Sequence, residues 1–182
     1  MTREAGLACR LYPYLFKEAR MNALDVAKKM ETDAIQFYSE AARKVSCPTG
    51  RKMFETIVED EKRHLAMIDQ IARGMSIKAQ DLTPLQRVKT VFETMKDQML
   101  KKVAACKDDL EALTIAMQME KEGEAFYNKS RDAAKTEKEK DLFRRLIVEE
   151  REHYMIFANS HQFLSDTGNW FLWEERGIVE GG

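Results

Sequence analysis

Between Asn22 and Val45, apolar side chains return every three or four residues, at Leu24, Ala27, Met30, Ala34, Phe37 and Ala41, with mostly polar positions between them. This follows the 3.6-residue turn and predicts one helix with a single inward stripe. Ser46-Cys47-Pro48-Thr49-Gly50 closes it, and a second helix is expected from about Arg51 to Ala72, stopping at Gly74. So short a link makes the two an antiparallel hairpin. Met75 to Pro84 has no period and reads as a crossover, followed by an extra helix over Leu85 to Val103. A third long helix is expected from Asp108 or Asp109 to about Ala134, with Glu111 near its first turn as a capping partner. The fourth opens at Thr136-Glu137-Lys138-Glu139, a Ser/Thr-x-x-Glu capping signature, and runs to about Leu164 before Asp166-Thr167-Gly168-Asn169 breaks the chain.

The pattern therefore divides the chain into an extension over residues 1–21, a helical unit over 22–165 and a tail over 166–182. The extension has poor periodicity and contains Pro13, and Met21 is a candidate for the biological start. The tail carries both tryptophans in Trp170-Phe171-Leu172-Trp173 and is expected to dock on the bundle or on a second subunit, because so much exposed aromatic surface is unusual. At 182 residues one domain is expected. Charged residues at 34% with only 8 Gly and 3 Pro fit long helices with wet outer faces and leave strands unexpected.

A net charge of −1 removes the electrostatic reason to expect a nucleic-acid or acidic-membrane partner. No stretch approaches the ~18 apolar residues of a membrane span, and Arg3, Arg10, Lys17, Glu18 and Arg20 interrupt any signal-like core. Cys9, Cys47 and Cys106 are odd in number and include no C-x-x-C pair, which favours a reducing cytoplasm.

The chemistry lies in a repeat. Shifting the chain by 89 residues places Met30-Glu31 on Met119-Glu120, Phe37-Tyr38 on Phe126-Tyr127 and Phe54 on Phe143. The same shift places Asp60-Glu61-Lys62-Arg63-His64 on Glu149-Glu150-Arg151-Glu152-His153 without an insertion. Two similar hairpins thus build the unit. Residues three apart share a helix face, so Glu61 with His64 and Glu150 with His153 can each aim an oxygen and a nitrogen at one point. Glu31 and Glu120 add one carboxylate each, and together the six match the bundle pattern of di-iron and di-manganese carboxylate proteins. Four carboxylates balance two divalent ions of the iron or manganese type. Any single Glu-x-x-His reads first as a solvated glutamate and an ordinary histidine. Two such motifs, each with a Glu thirty residues upstream on an apolar stripe, do not, because an unpaired carboxylate there would be costly to bury.

Asp60 and Glu149, directly before the two motifs, are candidates to bond the far nitrogen of a ligand histidine, with plain surface charge as the competing reading. Tyr38 and Tyr127 lie two turns beyond Glu31 and Glu120, and their hydroxyls can reach a ligand carboxylate or a bound oxygen species; core packing is the alternative. His161 has no Glu three residues before it and reads as a non-ligand. Met30 and Met119 read as adaptable core filling.

With these motifs in hand, residues 22 to 175 resemble the rubrerythrin branch of the ferritin-like superfamily. The paired Glu-x-x-His motifs with upstream glutamates carry the superfamily likeness; the Glu-to-Tyr spacing and Gly168-Asn169-Trp170-Phe171 point to the branch. The resemblance implies an all-α, ferritin-like four-helix bundle holding two iron ions, or manganese, or mixed metals. It implies a peroxidase-like oxidoreductase that reduces H2O2 or O2, a homodimer, and an external electron donor such as rubredoxin, since the C-x-x-C pairs of a rubredoxin domain are missing. Family members also carry a further glutamate where Gly123 stands, flanked here by Glu122 and Glu124. The same six residues suit three other functions: a ferroxidase within a ferritin-like cage, a di-iron oxygenase with an organic substrate, and a non-catalytic helical protein that kept its metal site.

Overall fold

A computed structural model describes residues 22–77, 84, 103–104 and 107–170 of the protein. Helix α1 spans Ala23–Lys44 and α2 spans Pro48–Ala72. Asn22 caps α1 by accepting a 3.0 Å bond from the Asp25 amide, and three residues, 45–47, link the pair. The link is shorter than its sequence suggests because Pro48 opens α2 rather than ending α1. Proline suits a first helical turn, where its missing N–H would have had no partner.

The second hairpin is α3, Lys107–Ala133, followed by α4, Glu137–Thr167. The predicted capping box is present at Thr136 and Glu139. Helix α4 runs three residues past its expected end and stops at Gly168, whose φ of 66° is a left-handed conformation that suits a residue without Cβ. Of the expected crossover, residues 75–77 are non-helical, as expected, and Pro84 is helical; its other residues and the extra helix up to residue 102 lie outside the described residues, as do the extension and the end of the tail. Val103, the last residue of that expected helix, is instead in strand β1, Val103–Ala104. It pairs antiparallel with β2, Asn169–Trp170, so the tail is fastened by backbone bonds. This two-residue ladder is the one departure from an all-α fold among the described residues.

The hairpins meet with α1 against α3 and α2 against α4. Two apolar clusters fill the interior. One contains Tyr38, Phe54, Phe157, Leu113 and Leu164; the other contains Ala27, Ile68, Tyr127, Phe143 and Leu146. The repeat is visible in this packing: Tyr38 lies 6.2 Å from Phe54, and Tyr127 lies 6.0 Å from Phe143, ring centre to ring centre. Charged and polar side chains lie buried among these residues, in the middle stretches of the four helices.

Phe54 is fully buried and also stacks within 5.4 Å of Phe157. Phe54→Ala is expected to lower unfolding free energy by about 3–5 kcal/mol, measured by denaturant titration, while Thr136→Ala should cost only about 1 kcal/mol through the lost cap.

Candidate metal centre

Each long helix brings one carboxylate to the centre of the bundle: Glu31 from α1, Glu61 from α2, Glu120 from α3 and Glu150 from α4. His64 and His153 follow their glutamates by one turn on the same faces. All six are buried, both histidines completely. They form two groups whose ligand atoms lie within 4.8 Å of one another: Glu31, Glu61, His64 and Glu150 in one, and Glu61, Glu120 and His153 in the other. Glu61 belongs to both. Its Oε2 lies 2.8 Å from His64 Nδ1 and its Oε1 lies 3.2 Å from His153 Nδ1.

The candidate supporting residues cross between hairpins. His64 Nε2 lies 3.0 Å from Glu149 Oε2 on α4, and His153 Nε2 lies 3.4 Å from Asp60 Oδ2 on α2. The Tyr38 hydroxyl donates to Glu120 Oε1 at 2.5 Å, and the Tyr127 hydroxyl donates to Glu31. In each pair the higher-numbered residue of one helix meets the lower-numbered residue of the other, so α1 runs antiparallel to α3 and α2 to α4. The carboxylate beside one histidine therefore orients the histidine of the opposite repeat, with Nδ1 left facing the centre.

Sequence reading did not pick out the arginines behind this arrangement. Arg63 donates from Nη1 to Asp60 at 2.6 Å and from Nη2 to Glu149, tying together the carboxylates that serve both histidines. Arg145 Nε adds a 3.1 Å bond to Glu149 Oε1. The signal lay in the motif itself, since Arg63 stands one turn after Asp60. The two acidic neighbours of Gly123 stand apart from both groups. Glu124 pairs with Arg151 on the surface at 2.6 Å, and Glu122 accepts a 2.8 Å bond from Gln118. His161 lies near Ser165 on an exposed part of α4, away from the centre.

The electrostatics follow from this crowding. Burial, then the negative charge of Glu61, pushes Glu31 up to about 8. Glu150 is raised well above the carboxylate range by burial and by Glu120 and Glu61. Burial also opposes ionisation of Glu61, but the two histidine charges beside it outweigh that and hold its pKa well below the usual range. Burial would lower both imidazoles; the surrounding carboxylates win and raise them well above 6.5. Asp60 and Glu149 resist burial through their histidine and arginine partners and are lowered.

Whether these side chains suit a metal is answered by their unused atoms. Glu61 Oε2, His64 Nδ1, Glu150 Oε1 and His153 Nδ1 are buried and have no hydrogen-bond partner, the 2.8 Å approach of His64 to Glu61 being poorly aligned for one. Orphaned buried donors and acceptors are rare because each costs about 1–3 kcal/mol. Here four of them belong to the two groups, an arrangement in which cations can replace the missing partners. Mixed carboxylate and imidazole ligands suit iron or manganese.

In metal-free protein, Glu31, Glu150 and both histidines bind protons more tightly folded than unfolded. Their stabilising effect is complete below the unfolded values near 4.5 and 6.5 and is lost as pH rises through the folded values. Asp60 and Glu149 act oppositely and lose their effect only in acid. Metal-free protein should therefore melt at a higher temperature at pH 5 than at pH 8.5. Saturating ferrous or manganous ion should raise the pH 8.5 value most, because fewer protons must leave before the ions bind. Differential scanning calorimetry at both pH values checks this.

Among curated proteins and among solved structures none matches the chain. A model of the rubrerythrin family matches residues 22–160, which holds all four long helices up to the last turns of α4 and every residue of the two groups. On that match, together with the bundle and its buried acid–histidine groups, the chain belongs to the rubrerythrin family of ferritin-like di-iron proteins.

Proposed function

We propose that the protein is a peroxidase-like di-iron oxidoreductase that reduces H2O2 in preference to O2, with Glu31, Glu61, His64, Glu120, Glu150 and His153 as its ligands. An external electron donor such as rubredoxin completes the cycle, and the working unit is a homodimer. The observation that carries this reading is a small pocket beside the two groups, on the side of α1 and α3. Met30, Ala34, Met119, Gly123 and the two tyrosines line it together with Glu31, Glu120 and Glu150. Its interior leaves about 10 Å³ for the centre of a water-sized sphere, room for about one such molecule. Pockets for organic ligands run to roughly 300–1,000 Å³, so this one favours a small oxidant over an oxygenase substrate.

Two ferrous ions would supply the two electrons that, with two protons, convert H2O2 to two waters. The chain contributes placement and protons. Tyr38 and Tyr127 are buried, and burial together with the nearby glutamates raises both hydroxyls well above the usual range, so each keeps its proton on Oη. From there they hold Glu120 and Glu31 in place and face the same pocket. Among the described residues no helix is long and apolar enough to cross a membrane.

Anaerobic ferrous loading followed by stopped-flow mixing is the direct test. Oxidation by H2O2 should outrun oxidation by O2 at equal concentration; a faster reaction with O2 would move ferroxidase chemistry into first place. Tyr38→Phe and Tyr127→Phe should each keep two irons per chain while slowing the H2O2 reaction by roughly ten- to a hundredfold, the worth of a lost hydrogen bond to a charged group. Unchanged rates in both variants would leave the tyrosines with a packing role alone.

A further inference from the structure

The 89-residue repeat places Ala34 on Gly123 and Glu61 on Glu150, yet the two halves of the site are not alike. Glu61 lies between the two groups, one oxygen toward each histidine. Glu150 joins only the group containing His64, with Oε1 3.5 Å from His64 Nδ1. Its other oxygen points at α3: a Cβ built at position 123 would lie 2.8 Å from Glu150 Oε2 and 3.3 Å from its Cδ. Those separations are too short for any side chain at 123 unless the carboxylate moves.

Gly123 has no conformational reason to be glycine. It lies inside a 27-residue helix, and the positive-φ glycines among the described residues are Gly74 and Gly168. A glycine in a helix interior is unfavourable relative to alanine. Glycine in this buried stretch therefore calls for a gain; besides lining the small pocket, Gly123 leaves room for the Glu150 carboxylate, the one side chain a Cβ there would meet.

We propose that Gly123 is a positioning residue for Glu150. Its missing side chain gives the carboxylate a resting place against α3, so Glu150 is the ligand that shifts as the ions bind while Glu61 stays between them. The site is then a fixed carboxylate opposite a movable one. Only the assignment of the six residues as metal ligands is needed for this, not the choice of H2O2 as oxidant.

Substitution by alanine removes the resting place with the least other change. In Gly123→Ala the carboxylate is pushed toward the other acids when no metal is present. The metal-free melting temperature should fall by a few degrees, although alanine is the better helix former. Manganous ion, used as a redox-stable probe in calorimetry of the full chain, should bind roughly tenfold tighter, because the binding-ready arrangement is no longer a minority. Glu150→Asp shortens the side chain and removes the contact, so in that background Gly123→Ala should raise the metal-free melting temperature. Crystal structures with and without manganese should show Glu150 Oε2 moving in the wild type and stationary in Gly123→Ala. Wild-type protein that binds two manganese ions while Gly123→Ala melts higher without metal and binds no tighter would overturn the proposal. Wild-type protein that binds none would sink the ligand assignment, and the proposal with it.

Discussion

Eight ionisable side chains, Glu31, Asp60, Glu61, His64, Glu120, Glu149, Glu150 and His153, are buried in the middle of a four-helix bundle among otherwise apolar side chains. Moving one such charge out of water costs several kcal/mol even after a protein relaxes around it. The rest of the interior is arranged around that cost. Tyr38 and Tyr127 each give an O–H to a carboxylate, the histidines take the far carboxylates, and Arg63 and Arg145 bring positive charge in from the surface. What these partners leave unsatisfied faces the centre, where cations can complete the balance.

The crossing of partners between repeats ties the site to the fold. Within a hairpin, a glutamate and its histidine sit one turn apart on one helix and would keep that relation in isolation. The bonds from Glu149 to His64, from Asp60 to His153 and from each tyrosine to the opposite glutamate exist only when the hairpins are docked. Ions held by these six residues would also hold α1 to α3 and α2 to α4, which would couple metal affinity to hairpin docking.

Near-symmetry also makes the exceptions informative. Arg63 aligns with Glu152, so one arginine serves the acids behind both histidines, and Arg145 adds a bond to Glu149. Ala34 aligns with Gly123, and the two central carboxylates take up different positions. A repeated hairpin supplies two similar halves, and the packing at Gly123 makes them unequal.

The sequence by itself determined the four long helices, the hairpin order and the six residues at the centre, because helical period and Glu-x-x-His spacing are local properties that one turn of helix converts directly into a shared face. It placed the boundaries less well. Pro48 reads as a stop and serves as a start, since proline breaks a helix in its interior but suits its first turn. The two-residue ladder between Val103 and Trp170 left no local pattern at all. Only the tertiary structure decided which acid serves which histidine, which tyrosine bonds which glutamate, and that the space at Gly123 is filled by Glu150. Those contacts join residues 82 to 96 positions apart, or cross from α3 to α4, and no helical spacing encodes the rotation of one helix against another. That rotation is set by how the apolar stripes of all four helices pack together.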